Sequence, residues 1–418
     1  MIKPQIISLR AREILDSRGN PTLEAYAVVQ RGSDSFSACA SVPSGASTGE
    51  HEAHELRDGG ERYGGKGVLH AVESVNSEIF RALSGMDPTD QSRIDEALRK
   101  LDGTANLSRL GANAVLGTSL AVARAAAASH ELPLYRYLGG AGATHLPLPM
   151  MNILNGGVHA SNQLDIQEFM IIPEGAPTFA EAMRMGSEVY HALKRVLSSR
   201  SLSTAVGDEG GFAPQLRTPQ DACALLVEAI GLAGYTAGAG GVTLALDAAA
   251  SEWADPEGGY KLPKAGRQMT AKQLISFWRT LTGRFPIVSI EDGVGENDWE
   301  SWTQLTSALG DKVMLVGDDL FVTDPTRVKR GIELGAANAV LIKPNQIGTL
   351  SDVLEAVRQA RCGGYKVIMS HRSGETEDSF LADLAVAAGA DFIKSGAPAR
   401  AERTAKYNRL LAIEEELQ

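Results

Sequence analysis

The sequence predicts an α/β chain in two parts: an N-terminal α+β domain, an antiparallel meander plus helices, and then an α/β barrel. Three observations predict it. Five short apolar runs in the second half each end on a charged residue: VTLAL at Asp247, IVSI at Glu291, MLVGD at Asp318, AVLI at Lys343 and FI at Lys394. A sixth, KVIM, runs into Ser370-His371-Arg372-Ser373. After one longer gap the ends recur at intervals of about 25 residues, the length of a strand with its returning helix. The N-terminal residues, by contrast, alternate apolar and polar in three stretches and then change to helical spacing. Parallel strands that repeatedly end in a polar residue are the trace of a barrel whose site gathers at the carboxyl ends of its strands.

The 418 residues are 44% hydrophobic and 22% charged, ordinary for a soluble globular protein of two or three domains. A net charge of −11 speaks against nucleic acid as the main ligand, because phosphate backbones need a basic footprint. It leaves a small anionic substrate open, since that responds to the local field. Cys39, Cys223 and Cys362 are far apart and fit neither a disulfide framework nor a zinc motif. They read as buried thiols of a reducing, cytoplasmic compartment. The segment MIKPQIISLR lacks the apolar core of a signal peptide. No apolar run approaches the ~20 residues of a membrane span, so membrane insertion is not expected. The stretch GTSLAVARAAAASH carries Arg124 and reads as a buried Ala-rich helix.

Taken in order, ISLRAREIL, TLEAYAVVQ and SFSACASV read as three strands, joined by turn signals at Asp16–Pro21 and Arg31–Asp34. The small-residue run Pro43–Gly49 follows as a loop. Helical spacing then fills about 66–130, clearest in HAVESVNSEIFRAL and ANAVLGTSLAVARAAAA. Pro133 and the glycines at 139, 140 and 142 are expected to end it. The boundary is placed there, giving a capping domain over 1–138 and a catalytic barrel over 139–418. Two motifs are set aside. Gly60–Gly67 has P-loop spacing, but Gly67 stands where a metal-holding hydroxyl is required and no strand precedes it. His51-Glu52-Ala53-His54 is one residue short of a zinc-protease helix and reads as surface histidines.

Chemistry concentrates at the strand ends. One carboxylate there would be an ordinary polar terminus. Asp247, Glu291 and Asp318 on nearby strands form an oxygen-only set that suits Mg²⁺. Asp292 and Asp319 beside them are expected to cap the following helices. Lys343 leaves the barrel core near this set. Burial and a neighbouring cation such as Lys394 would lower its pKa and make it a proton-abstracting base. A Schiff-base lysine remains the alternative. Arg372 and Ser373, after His371, suit an anion such as phosphate. Ser47 could add a hydroxyl from the small-residue loop. Asp208-Glu209 lies in a glycine-flanked loop where a carboxyl could act as an acid, and His159 sits on another loop.

Long stretches of the chain resemble the enolase family: DSRGNPTLE at 16–24, PSGASTGEHEA at 43–53, MMNILNGGVHASNQLDIQEFM at 150–170 and TAVGDEGGFAP at 204–214. SIEDG at 289–293, LVGDDLFVT at 315–323, LIKPNQIGT at 341–349, SHRSGETED at 370–378 and AKYNRLLAIEEEL at 405–417 continue it. The resemblance implies an eight-stranded barrel that begins irregularly, with an antiparallel strand and extra helices. It implies reversible dehydration of 2-phosphoglycerate to phosphoenolpyruvate in glycolysis and gluconeogenesis, with two Mg²⁺ per site. Asp247, Glu291 and Asp318 would hold the tighter ion, and Ser47 would close over the second. Lys343 would be the base at C2 and Glu209 the acid at the C3 hydroxyl, with Glu168 beside it. His159, Gln167, His371, Arg372, Ser373 and Lys394 would contact substrate. A homodimer or an assembly of dimers is implied, and the family allows a surface or secreted fraction.

Three departures stand out. Pro344 follows the expected base where the family often has an apolar residue, and a strand end should tolerate it. Ala412 replaces an arginine that pairs across the family's dimer with the counterpart of Glu24, unless Arg409 substitutes. Gln418 stands where some surface members carry a plasminogen-binding lysine, so that binding is not expected.

Overall fold

The computed structural model describes residues 3–46 and 49–418. Strands β1 (Gln5–Leu15), β2 (Pro21–Arg31) and β3 (Asp34–Ser41) form the predicted antiparallel meander. Alternation in β2 turns Leu23, Ala25, Ala27 and Val29 to the buried face. Helices α1 (Leu69–Ser74), α2 (Phe80–Leu83), α3 (Gln91–Asp102) and α4 (Ala112–Ser129) follow. The Ala-rich α4 is buried almost all round, because it lies between this sheet and the rest of the chain. Its Gly117 permits the close approach: a Cβ there would stand 2.8 Å from a Leu23 methyl. Pro133 does not end the helical region. It precedes one more short helix, α5 (Leu134–Gly139), where its missing N–H costs nothing.

The barrel is closed by eight strands. They are β4 (Leu148–Asn155), β5 (Glu168–Ile172), β6 (Thr243–Asp247), β9 (Ile287–Glu291), β10 (Met314–Gly317), β11 (Ala339–Ile342), β12 (Lys366–Ser370) and β13 (Phe392–Lys394). β5 runs antiparallel to both neighbours, and the other barrel pairs are parallel. Helices α6 (Phe179–Ser199) and α7 (Pro219–Leu232) come between β5 and β6, so the barrel does begin irregularly. The long first interval after Asp247 holds a small hairpin, β7 (Tyr260–Leu262) with β8 (Arg267–Met269). The outer helices continue as α8 (Ala271–Arg284), α9 (Trp299–Leu309), α10 (Pro325–Leu334), α11 (Leu350–Cys362), α12 (Phe380–Ala387) and α13 (Ala401–Leu417). Met150, Met170, Ile172, Val316, Leu341 and Ile368 fill the barrel interior, so it is a packed core and not a pore.

Several expectations need correction. Cys223 is buried, but Cys39 is half-buried and Cys362 exposed. Asp292 and Asp319 do not cap the next helices: Asp298 caps α9 and Asp324 caps α10. His51 and His54 are exposed on irregular chain, as expected. No helix among the described residues is long and apolar enough to cross a membrane.

Candidate active site at the barrel mouth

Register brings the first acids together. Glu168 pairs with Asp247, and Asp247 pairs with Glu291, across β5, β6 and β9. Because β5 runs backwards, its first residue meets the last residues of its neighbours. Lys394, at the end of β13, reaches this row from across the mouth. Its Nζ lies 2.9 Å from both Glu291 oxygens, 3.1 Å from Asp247 Oδ2 and 3.2 Å from Glu168 Oε2. Gln167 Nε2 also approaches Asp247 Oδ2, at 3.4 Å.

Asp318 belongs to a second group. Its Oδ2 accepts from Lys343 Nζ, and its Oδ1 accepts from Gln346 Nε2 at 3.0 Å. Asp292 and Asp319 complete this group, each with a ligand oxygen within 4.8 Å of the others. Asp292 holds the turn after β10 by accepting the backbone N–H of Asp318 and of Asp319, at 3.0 and 2.9 Å. The three carboxylates expected to share one ion are thus divided between two lysines: Asp247 and Glu291 on Lys394, Asp318 on Lys343.

Glu209 enters from the loop Val206–Pro214. Phe212 bonds to β4 through Ile153 and Asn155, which pins this loop to the barrel rim. Gly210, at φ +86°, makes the tight turn beside Glu209, where a Cβ would be strained. The Glu209 carboxylate accepts from Asn152 Nδ2 at 2.9 Å and lies 3.6 Å from His371 Nε2 and 3.9 Å from His159 Nδ1. Arg403 NH1 donates to His371 Nδ1 at 2.7 Å, so the proton of the neutral imidazole is assigned to Nε2, facing Glu209. Arg403 was not foreseen. It is fully buried in α13 and also donates to the carbonyls of Arg372 and Ser373, both at 2.6 Å. It therefore shapes the His371–Ser373 segment from behind. Spacing carries no signal for a helical arginine that acts at this depth.

The electrostatics sort these groups. Burial, then Glu209 nearby, pushes the Glu168 carboxyl well above the usual range, favouring its protonated form. Burial opposes ionised Glu209 too, but His371, His159 and Arg403 outweigh it and hold Glu209 well below that range. Burial drives His371 far down, so it stays neutral. Burial lowers Lys343 as expected, but Asp318 more than reverses this and holds the ammonium charged. Lys394 is raised still further, against burial, by Asp247, Glu168 and Glu291. Burial and Asp318 push Asp319 up to about 8.

Arg372 is buried and pairs with Glu52 of the N-terminal domain at 2.9 Å. Ser373 Oγ accepts from Arg18 at 3.3 Å. Ser47 lies outside the described residues. Pro344 starts a short turn, Pro344–Gln346, where its missing N–H is not needed, and Lys343 before it is extended at φ −120° and ψ 104°. Arg409 is committed within the chain, to Asp383 at 2.8 Å and Glu416 at 2.8 Å. Glu24 is held by Arg12 at 2.7 Å. Ala412 is exposed.

The donor set fits divalent cations. Carboxylates outnumber ammonium and guanidinium groups at this mouth, and burial drives Glu291, Asp292 and Asp319 up because they are under-compensated. The buried Gln167 Oε1 also has no hydrogen-bond partner. A capped barrel with one reversed strand and an acid-and-lysine mouth is the architecture of the enolase superfamily. Residues 6–138 match the model of the enolase N-terminal domain, and residues 143–418 match that of the enolase C-terminal TIM barrel domain. The chain belongs to the enolase family.

Proposed function

We propose that this chain catalyses the reversible dehydration of 2-phosphoglycerate to phosphoenolpyruvate. The observation that carries the reading is the meeting of Lys343, Glu209 and Arg372 on one cavity, lined also by His159, Gln167, Glu168, Ser373 and Lys394. In this reading Arg372 and Ser373 grip the phosphate. Lys343 Nζ takes the proton from C2, the C3–oxygen bond breaks, and the C2–C3 double bond forms. Glu209, ionised at rest, first takes a proton from Glu168 beside it and then protonates the departing hydroxyl, which leaves as water. Glu168 holds a proton beside Glu209 and can resupply it. His371 stays neutral and turns its N–H to Glu209. Lys394 fixes the row of acids.

Lys343 works as a base only after Asp318 is drawn away from it, because that contact keeps the lysine charged. Asp247, Glu291 and Asp318 are the residues that would hold Mg²⁺, with Ser47 on a second ion. Bound Mg²⁺ would supply positive charge to the substrate carboxylate as the C2 proton leaves. A lysine base with Mg²⁺ is the general pattern of enolase-superfamily sites. The same reading places the chain in glycolysis and gluconeogenesis in the cytoplasm, as a homo-oligomer. The test is the absorbance of phosphoenolpyruvate formed from 2-phosphoglycerate with Mg²⁺, then with excess chelator. Turnover that chelator abolishes is expected. No turnover by folded protein at any Mg²⁺ concentration would overturn the reading and favour an enolase-fold scaffold without the chemistry.

A further inference from the structure

Of the set-aside His51-Glu52-Ala53-His54 motif, Glu52 is the member whose side chain enters the buried mouth of the barrel, while His51 meets Asn297 at an exposed rim and Ala53 N donates to the Gln346 carbonyl. Its carboxylate meets Arg372 end-on: Oε2 lies 2.9 Å from NH1, and Oε1 lies 3.2 Å from NH2. The side chains are 7% and 3% exposed, so this pair is taken almost wholly out of water. Two parallel N–H···O bonds fix the plane of a guanidinium as well as its position. Glu52 Oε1 also accepts from Gly49 N at 3.0 Å and Gln346 Nε2 at 3.3 Å. Gln346 is itself buried and bonded in three directions. It donates to Asp318 Oδ1 at 3.0 Å, and its Oε1 accepts from Thr323 Oγ1 at 2.8 Å. Thr323 Oγ1 in turn accepts from Lys343 N at 2.8 Å. A carboxylate from the capping domain is therefore joined directly to the anion grip and, through the Gln346 amide and the Thr323 hydroxyl, to the strand end that carries the expected base.

We propose that Glu52 is a positioning residue for Arg372, setting the guanidinium's attitude toward the substrate phosphate while holding back part of its charge. This rests on the reading of Arg372 as the phosphate grip. The two effects of Glu52 oppose each other. Its negative charge competes with an arriving anion and weakens ground-state binding. Its fork geometry aims the guanidinium and so favours turnover. A merely structural residue would show no such opposition, since its loss would loosen binding and turnover together.

The test uses the full chain, inorganic phosphate as the binding probe and 2-phosphoglycerate as substrate. Glu52→Gln keeps the shape and removes the charge. Glu52→Asp keeps the charge but withdraws it by one methylene. Phosphate is expected to bind about threefold tighter to Glu52→Asp and about tenfold tighter to Glu52→Gln than to the unaltered protein. kcat is expected to fall in the same order. Unchanged or weaker phosphate binding by either variant, with its melting and circular dichroism intact, overturns the proposal. So does tighter binding with undiminished kcat. The phosphate titration does not depend on the reaction. An unaltered protein without turnover would therefore count against the proposed dehydration, while the titration would still decide the role of Glu52.

Discussion

Lys343 and Lys394 look alike in the sequence and differ in the fold. Each follows a short apolar run, and each ends up buried at the mouth of the same barrel. Lys394 is held by three carboxylates from three adjacent strands, at 2.9 to 3.2 Å. Lys343 is held by one, Asp318. An ammonium shared among three carboxyl groups cannot be released by moving any single one. An ammonium on a single carboxylate loses its hold as soon as that carboxylate finds another cation. The number of partners, and not the residue type or its depth, separates a lysine that secures a site from one able to give up its proton there.

The largest test of this contrast is Lys343→Ala. In the proposed reaction it should slow exchange of the C2 proton of 2-phosphoglycerate with deuterated solvent by about 10⁴-fold, the upper range for a positioned base. Folding by circular dichroism should be unchanged, and exchange at the unaltered rate would refute the assignment. Next, Glu209→Gln should cut dehydration by about 10³-fold while C2 exchange stays measurable, because the acid works on the far side of the reaction from Lys343. Simultaneous loss of both would show that Glu209 is not simply the acid.

Stability should separate the lysines in the opposite sense. Lys394→Met strands three buried carboxyl groups and should cost about 3 kcal/mol in urea unfolding of the metal-free protein. Lys343→Met strands one and should cost about half of that. Equal costs would erase the distinction.

The smallest effect is in pH. Asp319 lies on the Lys343 side, and its folded pKa, raised to about 8, exceeds the ordinary aspartate value. The folded state therefore binds more protons than the unfolded one between about pH 4 and pH 8, and stability falls as pH rises through that window. The melting temperature of metal-free protein should drop by a few degrees between pH 6 and pH 8.5, and Asp319→Asn should flatten the drop. An equally steep fall in the variant would move the cause elsewhere.

What could be read in the sequence follows from which interactions are local. Apolar runs and their spacing are local, so the meander, the parallel strands from β6 onward and the residues ending them were legible. Glu209 stood out because glycines flank its loop, and His159 because it sits on a loop after Gly156-Gly157. Which acid meets which lysine was not legible, since it depends on strand order and on the reversed direction of β5 that puts Glu168 beside Asp247. Asp292 was read as a helix cap for the same reason: its partners, the N–H groups of Asp318 and Asp319, lie on the next strand's turn. Arg403 and Glu52 act on the site from a terminal helix and from the other domain. No period in a single chain points to them.

The proline after Lys343 has a consequence outside the folded state. Pro344 narrows its own backbone freedom and bars its predecessor from helical geometry even in a disordered chain. Lys343 is extended in the structure, so the chain has less conformational entropy to surrender at this spot than one with an ordinary apolar residue. At compatible positions that difference amounts to about 0.4–1 kcal/mol in favour of folding. The direction in which this lysine leaves the backbone is thus partly set by covalent structure, before any tertiary contact forms.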